Sequence, residues 1–87
     1  MRKIIFHKNF DRGFEALNPK LKLKTIETIK LLTINPFAKK LKNHALKGKL
    51  NGKRAISVTS DIRIIFEQEE NYTLIIMLDI GTHNQVY

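Results

Sequence analysis

Ser57-Val58-Thr59-Ser60-Asp61-Ile62-Arg63-Ile64-Ile65-Phe66 carries a clear strand pattern. From Ile62 onward the side chains sort by alternation. Ile62, Ile64 and Phe66 fall on one side of an extended chain, and Asp61, Arg63, Ile65 and Glu67 on the other. A period of two predicts a half-buried strand over residues 62–68. Upstream, Ile56 and Val58 share the core-facing parity, while Ala55, Ser57 and Thr59 face away, which predicts a strand over 53–59. Downstream, 72–80 reads as a third strand, apolar on both faces over 74–78 and therefore placed in a protected position of the sheet. The connections Ser60-Asp61 and Glu69-Glu70-Asn71 are too short for a crossover, so these strands are antiparallel neighbours.

Towards the N-terminus, residues 3–8 read as a further strand rich in Ile and Phe, with His7 as a residue on its edge. Asn9 or Asp11 then opens a short helix that recurs Phe10, Phe14 and Leu17 on one side and is weakened by Gly13. Asn18-Pro19 starts a second helix, because Asn caps free amides and Pro fits the first helical position. It runs over 19–34 and stops at Asn35-Pro36. Leu21, Ile26, Ile29 and Leu32 form its apolar arc with Thr25 and Thr33, whereas Leu23, Leu31 and Ile34 fall outside it, against the first helix or a partner. Residues 36–52 read as a basic linker punctured by Gly48 and Gly52 and tacked to the core by Leu41, Leu46 and Leu50. The expected fold is α+β, one domain over residues 1–87, in the order β-α-α-β-β-β: two helices on one face of a small, mostly antiparallel sheet whose other face stays partly open.

Charge narrows the function. Sixteen Lys and Arg against eight Asp and Glu give a net +8. No acidic residue lies between Pro36 and Ser60, where Lys39, Lys40, Lys42, Lys47, Lys49, Lys53 and Arg54 all fall. So one-signed a stretch favours a polyanion, nucleic acid or an acidic protein. There is no cysteine, which removes disulfides, thiolate zinc ligands and thiol nucleophiles and fits a reducing cytoplasm. The apolar start Ile4-Ile5-Phe6 is cut short by His7 and Lys8, and no run approaches the roughly 20 apolar residues of a membrane span.

Against that background four side chains stand out: His44 in the basic segment, Asp61 and Arg63 at the start of the 62–68 strand, and His83 in Gly81-Thr82-His83 after the last strand. Cleaving RNA without a metal needs a base to take the 2′-hydroxyl proton, an acid to protonate the leaving 5′-oxygen, and fixed cations for the phosphorane. Histidine suits both proton steps, since its unperturbed pKa is about 6.5. Arginine suits the phosphate, since its planar fork donates two hydrogen bonds. Residue by residue, each has a plainer role: a solvated loop His44, a turn Asp61, an Arg63 paired with that carboxylate, an exposed terminal His83. Three widely separated histidines match no zinc spacing, and the chemistry calls for no metal and no cofactor.

Three blocks together resemble the RelE/ParE superfamily of bacterial type II toxins, and its YafQ-like branch of messenger-RNA interferases in particular. They are His44-Ala45-Leu46-Lys47-Gly48-Lys49-Leu50-Asn51-Gly52-Lys53-Arg54, the strand pair through Asp61-Ile62-Arg63-Ile64-Ile65-Phe66, and the closing Gly81-Thr82-His83-Asn84-Gln85-Val86-Tyr87. The resemblance implies a RelE-like fold and a ribosome-dependent endoribonuclease. In it, His44 and Asp61 activate the 2′-hydroxyl, His83 is the general acid and Arg63 or Arg54 stabilises the phosphorane. Lys47, Lys49, Lys53, Arg54 and Ser57 would contact RNA. It departs from the family at Ser57, where the similar toxin carries a further histidine; a serine hydrogen-bonds a phosphate but is no ordinary base near neutral pH. The resemblance also implies a cognate antitoxin, often acidic, in a heterotetramer with the toxin, besides messenger RNA and ribosomal RNA as partners. Two other readings compete: a ParE-like toxin acting on DNA gyrase, which generally lacks the His/Asp/His set, and a non-catalytic basic RNA-binding module.

Overall fold

The computed structural model describes residues 2–87. Its elements are β1 (Lys3–Phe6), α1 (Lys8–Glu15), α2 (Pro19–Ile34), β2 (His44–Ala45), β3 (Arg54–Ser57), β4 (Ile62–Glu69), β5 (Leu74–Thr82) and α3 (His83–Val86). The sheet order is β1-β5-β4-β3-β2. β2 to β5 run antiparallel to their neighbours, and β1 lies parallel to β5 with Lys3 opposite Leu74 and Phe6 opposite Met77. The expected β-α-α-β-β-β frame is present, with two additions. The basic segment is not all linker, since His44 and Ala45 pair with Ala55 and Arg54 to form the edge strand β2. The chain end is not a tail, since His83–Val86 forms α3.

The core lies between the sheet and the first two helices. Ile56, Ile64, Phe66, Ile75 and Met77 are fully buried on one sheet face, and Phe10, Leu32 and Leu41 close over them. Each such side chain contributes about 1.5–3 kcal/mol over leaving it in water. Ala55 and Ile65, read from alternation as facing away, are also buried. Leu50 and Val86 border the same cleft as Ile65, so the second face carries a partial cover of its own.

The helix starts differ in accuracy from the sequence reading. Asn18 caps α2 as expected, accepting from the Leu21 amide at 2.9 Å behind Pro19. α1 begins earlier than expected: His7 is its cap, not an edge-strand residue, and its Nδ1 accepts from the Asn9 amide at 3.0 Å. Within α2 the arc is rotated. Ile26 is 42% exposed, and Thr28 takes a buried place beside Thr25 and Leu32. Both threonine hydroxyls donate to carbonyls one turn back, Leu21 and Lys24, which lets a polar side chain sit in the core at little cost. Leu31 packs on the core, while Leu23 and Ile34 stay in solvent. Among the described residues no helix is long and apolar enough to cross a membrane.

Gly13 has a packing role that propensity hides. A Cβ there would collide with the Ile80 carbonyl oxygen and, at 2.9 Å, with its Cγ2, so α1 lies directly on the β5 backbone. Gly13→Ala should therefore destabilise the protein by about 1–3 kcal/mol, the usual cost of overpacking, despite alanine's better helix propensity. Urea unfolding followed by circular dichroism checks this; an unchanged or raised midpoint would contradict the close packing.

Candidate active site on the open face of the sheet

Register decides which polar groups meet. Ser57 pairs with Arg63 and Arg63 with Gly81, so these three form one row across β3, β4 and β5. Directly paired residues point to the same face, here the one opposite the main core. Ile62 pairs with Thr82, so the next step outward brings the β3–β4 turn, with Asp61, level with the start of α3, with His83. Asp61, Arg63, Ser57 and His83 therefore gather at one end of the sheet.

The turn that carries Asp61 is held rigidly. Thr59 Oγ1 accepts from the amides of Asp61 and Ile62 at 3.2 and 3.0 Å, and the Val58 amide donates to the Ile62 carbonyl at 2.9 Å. Arg63 donates from one terminal nitrogen to the Ser60 carbonyl at 3.3 Å, which lays its guanidinium along that turn. It makes no ion pair with Asp61: among the described residues the one ion pair is Lys22–Glu15, between α2 and α1. Both charged heads remain available.

α3 holds His83 against the sheet. Thr82 caps it in a reciprocal capping box with Gln85, whose Oε1 accepts the Thr82 amide at 2.8 Å. The helix sits so close that a Cβ on Gly81 would fall 2.7 Å from that oxygen. One turn on, the Tyr87 ring meets the His83 imidazole edge to face, with centroids 4.4 Å apart. Tyr87 also borders a surface crevice with Leu46, Lys47, Lys49 and Leu50. It thus spans from His83 to the basic segment. Tyr87, Thr59 and Gln85 were not singled out from sequence. The Thr82-x-x-Gln85 spacing is the signal that identifies α3, and α3 is what brings Tyr87 into place.

His44 stands apart. It lies on the same face, in the row His44–Ala55–Ile65–Asp79. That row is two residues, about 7 Å, from the Ser57–Arg63–Gly81 row, and three strand spacings, about 14 Å, separate β2 from β5. Its Nδ1 lies 2.8 Å from the Lys42 carbonyl oxygen and so donates to it, which leaves Nε2 outside that hydrogen bond. Arg54 goes elsewhere. It pairs with Phe66, on the helix-covered face, and its Nε donates to Asn43 Oδ1 at 2.8 Å, while Asn43 in turn donates to the Tyr72 hydroxyl. Alternation thus separates Arg54 from Arg63 and ties it into a structural network. Lys47 and Lys49 are exposed beside Tyr87, and Lys53 lines a neighbouring cleft. No group of three His, Asp or Glu side chains that could hold a metal occurs among the described residues.

This architecture, three helices on a five-stranded mixed sheet, is that of the RelE/ParE-like toxins. A YoeB/ParE toxin from Agrobacterium tumefaciens superposes with a TM-score of 0.78 at 17% identity, over 95% of this chain and 99% of that one. YafQ from E. coli strain BL21(DE3) superposes with a TM-score of 0.84 at 21% identity, over 100% of this chain and 99% of that one. The E. coli DinJ–YafQ complex contains a chain matching at TM-score 0.74 and 22% identity, over 100% and 99%. No curated protein matches the chain. Residues 2–87 match the family described as the bacterial toxin of type II toxin-antitoxin system, YafQ, and the chain belongs to that family.

Tyr87→Ala should remove an aromatic contact worth about 0.5–1.5 kcal/mol and release the His83 ring. The His83 ring-proton resonances should move in Tyr87→Ala and stay in place in Tyr87→Phe. Equal spectra for the alanine variant and the parent would place the two rings apart in solution.

Proposed function

We propose that this YafQ-family toxin is a ribosome-dependent messenger-RNA endonuclease that works by acid–base catalysis. The observation that carries the reading is the gathering of Asp61, Arg63 and His83 at one end of the open face, with Tyr87, Lys47 and Lys49 continuing from it. A phosphate lying against Arg63 would receive the bidentate donation that stabilises a phosphorane. Asp61, free of any ion pair, would accept the 2′-hydroxyl proton, and His83 would protonate the departing 5′-oxygen. The products are a 5′-hydroxyl end and a 2′,3′-cyclic or 3′-phosphate end. Ser57, on Arg63's row, would hydrogen-bond the same phosphate. His44 and the adjoining lysines would hold the strand as it leaves the site, with His44 reaching the linkage only if the RNA bends towards β2. Arg54 is assigned no part in the chemistry.

The natural partner in this reading is a cognate antitoxin, as in the DinJ–YafQ complex. Leu23, Ile26, Ile34 and the neighbouring Phe37 are exposed at 65, 42, 77 and 64%, and the exposed side of α2 also carries Lys20, Lys24 and Lys30 against one carboxylate, Glu27. Exposed apolar side chains among a surplus of ammonium groups suit an amphipathic acidic segment. The cytoplasm, where messenger and ribosomes are, is the compartment this activity requires.

The test is a translation reaction with mapping of new 5′-hydroxyl ends. The parent should cut translating message in register with codons and leave free RNA intact. His83→Ala and Arg63→Ala should each lower the rate by about 10²–10⁴. An alanine variant at His83 that cuts like the parent would remove it as proton donor. DNA breaks with intact message would instead favour action on gyrase.

A further inference from the structure

The open face holds one acidic side chain in an awkward place. Asp79 lies at the β5 end of the His44 row, two residues from Gly81 and the proposed phosphate position. A carboxylate there repels phosphate, in a protein otherwise strongly cationic. Its position follows from a β-bulge: between Ile65 and Phe66 the β4–β5 register jumps from Asp79 to Met77, leaving Leu78 unpaired. Leu78 and Asp79 both line the same cleft with Ile65. Bulges of this kind re-aim side chains and recur beside functional sites.

The cleft is about 240 Å³, below the roughly 300–1,000 Å³ of pockets for drug-sized ligands and suited to a single ring system. Leu50, Ile65, Leu78 and Val86 give it apolar walls. Asp79, Lys53, His7 and Asn9 supply its polar groups. Asp79 Oδ1 accepts the Ile80 amide at 2.9 Å, and the carboxylate has no ion-pair partner among the described residues, Lys53 included. The free Oδ2, the remaining lone pair of Oδ1 and an ammonium donor thus share one cleft with apolar walls. His7 adds a donor, since its Nδ1 is used by the Asn9 amide and the proton sits on Nε2.

We propose that this cleft binds one guanine base of the RNA next to the scissile phosphate. Guanine presents two adjacent donors, N1–H and the N2 amine, which a carboxylate accepts together, and the neighbouring O6 accepts from an ammonium. Adenine offers an amine beside an unprotonated N1 and would set that lone pair against the carboxylate. Cytosine offers one amine and leaves half of the carboxylate unmatched. Ring faces pack on Leu50 and Val86. The cleft therefore gives the proposed nuclease a base preference at one position. This rests on the nuclease reading for its biological meaning, but base binding is measurable without cleavage.

The experiment is a nuclear magnetic resonance titration of the parent protein with guanosine 5′-monophosphate, adenosine and cytidine 5′-monophosphates, and inorganic phosphate. The guanine nucleotide should shift the methyl resonances of Ile65, Leu78 and Val86, with about tenfold weaker binding of the other two, as a bidentate base contact gives. Phosphate should leave these methyls unmoved. Asp79→Asn and Lys53→Gln, each checked for a native spectrum, should lose the guanine preference. In the translation reaction the proportion of cuts next to guanine should fall in both variants. Equal binding of all nucleotides, shifts by phosphate alone, or an undiminished preference in both variants would overturn the proposal while cleavage by the parent stood. Guanine-selective binding by a protein that cuts no message would do the reverse, sinking the nuclease reading and sustaining the cleft.

Discussion

The pairing of β4 with β5 is the constraint from which the rest of the molecule follows. It is the longest ladder in the sheet, running from Ile62 opposite Thr82 to Glu69 opposite Leu74. Ile64, Phe66, Ile75 and Met77 come from these two strands and are wholly withdrawn from water. Because a side chain changes face with every residue, one step of slip in β4 would carry Ile64 and Phe66 out of the core and Arg63 into it. Burial therefore fixes register, and register fixes which polar groups meet. The Glu70-Asn71-Tyr72 turn joins the two strands with three successive positive φ angles. Non-glycine residues adopt that conformation only when their surroundings hold them there. Here Tyr72 is buried against Phe37 and Phe66, and its amide donates to Gln68 Oε1.

The two faces of this ladder have separate work. One takes α1 and α2 and supplies most of the apolar burial. The other is covered only by short pieces, α3 and the segment around Leu50, which leaves clefts between them. A face so lightly covered can present backbone-positioned side chains from several strands to a ligand, with precision set by the ladder beneath. The cationic residues follow the same division. Lys47 and Lys49 stand on the segment that crosses the open face, whereas Arg54, one residue out of phase, is turned into the Asn43–Tyr72 network. Two arginines nine positions apart on adjacent strands thus serve, one for the site and one for the frame.

Much of the frame was legible because hydrophobic periodicity and capping are local. The alternation through Ile62, Ile64 and Phe66 gave β4 and its faces, and Asn18-Pro19 gave the start of α2 to the residue. The readings that missed did so where a distant partner decided. His7 became a helix cap because β1 ends once its amide has reached the Met77 carbonyl. Ile26 lost its core place because the sheet accepts the arc through Thr25, Thr28 and Leu32. β2 has only two residues, and nothing in His44-Ala45 reads as a strand without Arg54 and Ala55 beside it. Gly13 reads by propensity as a weakness in a helix, whereas the β5 backbone against it leaves no room for a Cβ.

For the candidate site the division is similar. Residue types and their order, two imidazoles, a carboxylate, a guanidinium and a lysine-rich segment, are properties of the chain itself, and they sufficed to suggest the chemistry. Their distances are not, because strands far apart in sequence become neighbours only through burial of their shared apolar face. Tertiary structure alone decided that His83 and Asp61 lie level, that Tyr87 bridges to the basic segment, that Arg54 faces inward and that a bulge turns Leu78 and Asp79 into one cleft. The physical reason is that composition and period are written residue by residue, whereas register and helix docking are set by the packing of the whole core.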